Sequence, residues 1–197
     1  MPSSSSGSAR FLVLLSRWRI DAAWLAVPML ALARPTMASI DIWLPLVVGG
    51  LALRTWARGY IERAQYLTQA GPYALIRHPL YVGSFLLGLA FAAMTRVLWL
   101  PPLFVLLFLV MYVPKATREE VFLRGVYGDA YASYATRVRA FVPHLHAAPR
   151  PAAAAAQCFH WRRVFRQGEW QTWLGALVVM AVMWWETGSA TLLALAG

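Results

Sequence analysis

Cysteine is almost absent from this 197-residue chain. Cys158 stands alone, which rules out an intrachain disulfide and a thiolate metal cluster. Charge is scarce as well: 13% of residues are Asp, Glu, Lys or Arg, against roughly 25% in soluble proteins. The glycine-rich loops that cradle phosphates or dinucleotides are missing, as are zinc-ligand spacings and a nucleophile elbow. Four histidines offer one close pair, His144 and His146. Ala and Pro follow it instead of further ligands, so the pair reads as loop rather than metal site. What the chain has in quantity is apolar surface, with 60% hydrophobic residues, ten Trp and a mean hydropathy of +0.54. That is the composition of an integral membrane protein, and the length suits one domain.

A net charge of +10 is compatible with nucleic acid as a partner, but the arginines share no polar face. They lie between apolar runs, the pattern of membrane topology, so no nucleic acid is expected. The fold class this implies is all-α and polytopic, with about five transmembrane helices. Segment one is Phe11 to Ala33, with its uninterrupted core from Ala22. Segment two runs from Ile40 or Ile42 to Trp56, where Gly49 and Gly50 permit close helix contact. Segment three is Pro79 to Met94, segment four Val97 to Val113, and segment five Trp170 to Trp185. With the N-terminus inside, every one of the 18 Lys and Arg except Arg34 and Arg96 falls on the cytoplasmic side. Both long polar stretches then face the cytoplasm, where they can build one site.

Around these spans, residues 1–10 are Ser-rich and read as disordered, and Phe11 to Leu15 is too short an apolar core for a cleaved signal peptide. Residues 11–143 form the membrane core. Residues 144–169 read as a cytoplasmic linker with a basic-aromatic stretch, His160 to Gln167, lying against membrane lipids. Residues 170–197 add a further membrane segment.

The chain is organised around Gly71 to Gly83, G-P-Y-A-L-I-R-H-P-L-Y-V-G. Pro79 suits the first position of a helix because its missing N–H would have no partner there. Arg77 and His78 therefore sit at the mouth of segment three, where free backbone N–H groups and the positive end of the dipole suit an anion. The plainer alternative is a cationic anchor beside a membrane segment. In the second polar stretch, Glu119, Leu123, Tyr127, Tyr131 and Tyr134 recur every three or four residues and line one helical face. Gly128 breaks that helix, and Asp129 can cap the next. Glu120 and Arg124 are spaced for a surface pair. Glu119, on the aromatic face, has either a task or a salt bridge to Arg77 or Arg118.

Together these residues resemble the isoprenylcysteine carboxyl methyltransferase family of integral membrane enzymes, which shares a signature with phospholipid methyltransferases. The matching pieces are G-P-Y (Gly71 to Tyr73), R-H-P-L-Y-V-G (Arg77 to Gly83), E-E-V-F-L (Glu119 to Leu123) and Y-G-D-A-Y-A-S-Y (Tyr127 to Tyr134), completed by Val138 and Pro143. The resemblance implies S-adenosylmethionine as methyl donor at the cytoplasmic helix ends. It implies that Tyr73, His78, Pro79, Leu80 and Tyr81 line the cofactor and that Glu119 holds it. The strip Gln65, Tyr66, Leu67 and Thr68 resembles the family's cofactor-contacting segment.

Arg77, Lys115 and Glu119 are the candidate catalytic residues. Lys115 stands where the family carries a substrate-side arginine; it keeps the charge but loses the bidentate fork. The acceptor implied is lipophilic, enters from the bilayer and is methylated on a carboxylate, which needs no general base because it is already ionised near neutral pH. A phospholipid amine or a small thiol is the rival acceptor. Membrane sterol reductases, which use a nicotinamide cofactor, share an R-H-P-x-Y-like region but are much longer. A small membrane scaffold is the non-enzyme alternative.

Overall fold

The computed structural model describes residues 30–61, 66–143, 154 and 156–196, with residues 189–196 as backbone only. Among them the chain is helical, without a strand. The order is α1 (Met37–Tyr60), a 3-10 turn (Gly71–Ala74), α2 (Pro79–Met94), α3 (Leu100–Tyr127), α4 (Asp129–Arg137), α5 (Trp161–Arg166) and α6 (Trp170–Ala196). A capping box starts α1: Thr36 Oγ1 accepts from the Ser39 amide at 3.2 Å, and Ser39 Oγ accepts from the Thr36 amide at 2.9 Å.

The five-span expectation is corrected here. Among the described residues two helices, α1 and α3, are long and apolar enough to cross a bilayer. At 16 residues α2 is apolar but short, reaching about 24 Å at the helical rise where the hydrocarbon core is about 30 Å. α6 is long, but its apolar run lasts only from Leu174 to Trp185 before Glu186 interrupts it. Segment one falls largely outside the described residues, as do residues 1–10 and nearly all of the linker. On α3, Leu106 and Val110 are 58% and 64% exposed, an apolar surface that a bilayer would cover.

The helices meet where side chains are smallest. A Cβ on Gly50 of α1 would lie 2.9 Å from the Gly83 carbonyl of α2, and one on Gly83 would lie 2.9 Å from the Gly50 carbonyl. Gly49 has open space around its Cβ position, so of the expected pair only Gly50 makes the contact. Ile40 and Val47 of α1, Leu87, Phe91 and Met94 of α2, and Met183 of α6 share one core. Residues 95–99, with Arg96 at φ of 60°, join α2 to α3, which starts three residues after the expected Val97. The Arg34 amide donates to the Thr95 carbonyl at 3.0 Å, which brings Arg34 and Arg96 to the same end of the bundle.

At the opposite end α3 outruns its expected boundary at Val113. It continues through Pro114 to Tyr127; the proline removes one amide from the ladder, and the helix runs on past it. Glu119 and Glu120 therefore ride on the same rigid rod as the membrane span. Gly128, with φ of 52°, ends α3 and is itself the N-cap of α4. Asp129 is the first helical residue rather than the expected cap; its carboxylate meets the positive end of the dipole without a capping bond.

Candidate active site

The backbone of the site is laid down by the 3-10 turn. Gly71 has φ of +60°, and a Cβ there would also strike the Tyr60 ring at 2.5 Å, so both conformation and space demand glycine. Tyr73 is buried, and its carbonyl accepts from the Tyr134 hydroxyl at 2.7 Å. The next amides leave the turn for the segment after α4: Arg77 N–H donates to the Arg139 carbonyl at 2.8 Å and His78 N–H to that of Ala140 at 3.1 Å. His78 is the N-cap of α2 and Pro79 its first residue, as the sequence predicts. The helix mouth offers an anion less than expected. The Tyr81 and Val82 amides already donate to the His78 carbonyl, each at 3.1 Å.

Two adjacent carboxylates of α3 divide the polar groups of α2 between them. Glu120 takes the guanidinium and the imidazole: Arg77 donates to its Oε1 through Nε at 3.1 Å and Nη2 at 2.8 Å, and His78 Nε2 stands 3.0 Å from the same oxygen. Facing a carboxylate, which can only accept, Nε2 carries the proton. Arg77 Nη1 donates to the carbonyls of Ala135 (2.7 Å) and Val138 (3.1 Å). Glu119 accepts from the Tyr81 hydroxyl at 2.6 Å and lies 3.9 Å from His78 Nδ1. The expected pairs Glu119 with Arg77 or Arg118, and Glu120 with Arg124, are thus replaced. The turn of α3 that faces α2 presents Glu120 to Arg77 and leaves Glu119 38% exposed.

Aromatic rings wall this arrangement. His78 stacks on Tyr81 and on Phe141, each with ring centroids 5.3 Å apart. Lys115 Nζ lies 5.2 Å from the ring centres of both Tyr81 and Tyr112, close enough for cation–π attraction. A cavity of about 350 Å³ opens beside it between α2 and α3, lined by Tyr81, Phe85, Phe108, Tyr112, Val113 and Phe141 among others. Its walls are apolar, and Tyr81 joins it to Glu119. Burial raises the Tyr73 hydroxyl well above the ordinary phenol range, with Glu119 adding to the effect. Burial and then Glu120 push Tyr131 up to about 12. The Tyr131 hydroxyl is buried with no hydrogen-bond partner among the described residues.

Of the strip expected to contact a cofactor, Gln65 lies outside the described residues. The Tyr66 hydroxyl accepts from Arg163 Nη2 at 3.5 Å. Leu67 packs on the Tyr131–Tyr134 cluster, while Thr68 is half-buried. Pro79 is buried, and the Leu80 carbonyl accepts from Ser84 Oγ at 2.8 Å.

Sequence reasoning missed a second ionic cluster. Glu169 accepts from Arg54 Nε (2.8 Å) and Nη2 (3.0 Å) and from Arg58 Nε (3.1 Å), and is 1% exposed. A signal was present: an arginine inside the apolar run around Leu53 and Trp56 needs a partner. The partner, 115 residues away, carries no local mark. His144 and His146 lie outside the described residues, within which no three His, Cys, Asp or Glu converge to hold a metal ion.

The family model described as phospholipid methyltransferase matches residues 45–130. The chain is 35% identical over 132 residues to the cobalt-zinc-cadmium resistance protein CzcN of Cupriavidus metallidurans, covering 66% of this chain and 55% of the relative. It is 34% identical over 127 residues to the nickel-cobalt-cadmium resistance protein NccN of Alcaligenes xylosoxydans xylosoxydans, covering 64% and 53%. The chain thus spans about half the length of the curated relatives it matches. No solved structure matches it.

Proposed function

We propose, on the premise that residues 45–130 belong to the phospholipid methyltransferase family of membrane methyltransferases, that the chain transfers a methyl group from S-adenosylmethionine to the carboxylate of a lipophilic acceptor. The observation that carries the reading is the Tyr81–Glu119 hydrogen bond, which joins a half-exposed acid to an apolar cavity open between two helices. The residues fit the cofactor's chemistry. Glu119 engages Tyr81 through Oε2 alone, which leaves Oε1 to receive an amine. The Tyr131 hydroxyl, buried and without a hydrogen-bond partner among the described residues, is a donor awaiting an acceptor. Arg77 is committed to Glu120 and two carbonyls, so its part is to hold α2, α3 and the end of α4 together. When bound, the cofactor supplies an electrophilic methyl group.

The chain's own task is to orient and to exclude water. Lys115, which lies over the Tyr81 and Tyr112 rings that line the cavity, holds the acceptor carboxylate in line, and the aromatic walls strip it of solvent. No base is needed for a carboxylate nucleophile. The basic residues about this end of the bundle support a cytoplasmic placement, and in this reading the acceptor enters sideways from the bilayer. The phospholipid named in the family model keeps an amine acceptor as the second reading, with a small thiol behind it. An assay of labelled-methyl transfer on membranes, with product identification, separates the acceptors. Absence of S-adenosylmethionine binding by calorimetry sinks both.

A further inference from the structure

Between the matched region and α6 lies a segment that the reading above leaves without a task, and its polar side chains reach back to the strip that the resemblance assigns to the cofactor and, through Arg54, to the start of α2. Gln157, 8% exposed, grips the strip after α1 on both sides of Thr68. Its Nε2 donates to the Leu67 carbonyl at 2.9 Å, and its Oε1 accepts from the Gln69 amide at 2.9 Å. That is the pair of bonds a neighbouring strand would supply, and it fixes the backbone of Leu67 to Gln69. Glu169 acts on a different element. Its two oxygens take the Nε and Nη2 edge of Arg54, which aims Nη1 at Ser84 Oγ and the Leu80 carbonyl on the first turns of α2. The Arg54 stem lies against Gly83, where a Cβ would meet its Cγ at 2.5 Å. Tyr81, the donor to Glu119, sits on that same turn.

A buried Arg–Glu–Arg cluster is a poor source of net stability, because desolvation offsets the Coulombic gain and apolar replacements often do as well. What it supplies well is direction, since a bidentate guanidinium has one geometry. Resting on the reading of the site given above, we infer that Gln157 and Glu169 are positioning residues. Gln157 sets the strip Leu67–Gln69, and Glu169, through Arg54, sets the first turn of α2 that carries Tyr81. The C-terminal segment is then a clasp that completes a site whose recognisable residues all lie before it.

The test uses the full chain in lipid nanodiscs, with S-adenosylhomocysteine as the calorimetric probe and thermal melting of the same samples. Gln157→Ala uncovers no charge, and Glu169→Gln keeps the side chain's shape. Each is expected to weaken the probe's Kd by about tenfold or more, with the number of sites per chain unchanged. A merely structural part predicts the reverse: fewer competent sites and a Kd within about twofold of wild type, whatever the change in Tm. That result overturns the inference. If Glu169→Gln does not fold, Gln157→Ala decides the matter alone by the same criterion. A wild-type chain that binds while both variants match it overturns this inference only; a wild-type chain that binds nothing overturns the reading of the site along with it.

Discussion

Two carboxylate-centred clusters stand at the same end of the bundle, and they are built differently. Glu119 and Glu120, on α3, meet Tyr81, His78 and Arg77 about the start of α2, and Glu119 remains 38% exposed. Glu169, just before α6, is 1% exposed, and its oxygens take Arg54 and Arg58 of α1. The first cluster keeps a carboxylate oxygen free and borders a cavity. The second leaves its acid no access to solvent and ties two helices at the buried face. A half-exposed acid retains capacity for a ligand, whereas a buried acid between two cations is fully committed. The contrast separates residues that can meet a substrate from residues that hold the frame.

Glu169→Ala should break that contrast most sharply. It leaves Arg54 and Arg58 facing each other without an anion, and should cost about 3–5 kcal/mol, read as a large fall in Tm in detergent or nanodiscs. Gly83→Ala tests the same frame from the other side. Its Cβ would meet both the Arg54 stem and the Gly50 carbonyl, so overpacking of about 1–3 kcal/mol is expected, again in the melting curve. Glu119→Gln should behave in the opposite way. A half-exposed partner contributes no more than about 1 kcal/mol, so Tm should hardly move while S-adenosylhomocysteine binding is lost. A Glu119 variant that melts early and still binds would erase the distinction.

The smallest expected effect concerns pH. Tyr131 is raised from 10.0 to about 12 by burial and then by Glu120. Its neutral form is favoured in the folded chain, so this contribution is fully present below the unfolded value. It fades as pH rises from 10 towards about 12. Tyr131→Phe should flatten that alkaline slope in the pH dependence of stability, and an unchanged slope would assign it to other groups.

Much of the first cluster was legible because its signals are local. Pro79 after His78 announces a helix start, whereas the spacing of Glu119, Tyr127, Tyr131 and Tyr134 suggests one face that Gly128 divides between α3 and α4, with Glu119 outside the tyrosine cluster. Partner choice was not legible. Whether Arg77 meets Glu119 or Glu120 depends on the rotation of α3 about its axis, and neighbouring residues on a helix differ by about 100°. The number of spans is not legible for a related reason: a run of apolar residues does not say whether its helix is long enough to reach across a bilayer, and α2 has only 16 residues. The second cluster was only half legible: Arg54 within an apolar run signals the need for a partner, but Glu169, 115 residues away, carries no local mark.

By itself the sequence determined a helical membrane protein, the helix boundary at Pro79, and two chemistry-bearing stretches kept in separate parts of the chain. These follow from hydropathy and from backbone rules that act over a few residues. Only the tertiary structure decided that His78 lies within hydrogen-bonding reach of Glu120, that Tyr81 rather than an arginine engages Glu119, that Gln157 closes back on the strip Leu67 to Gln69, and that Glu169 closes back on α1. Those contacts depend on how rigid helices rotate and dock, and no short-range preference of the chain encodes that.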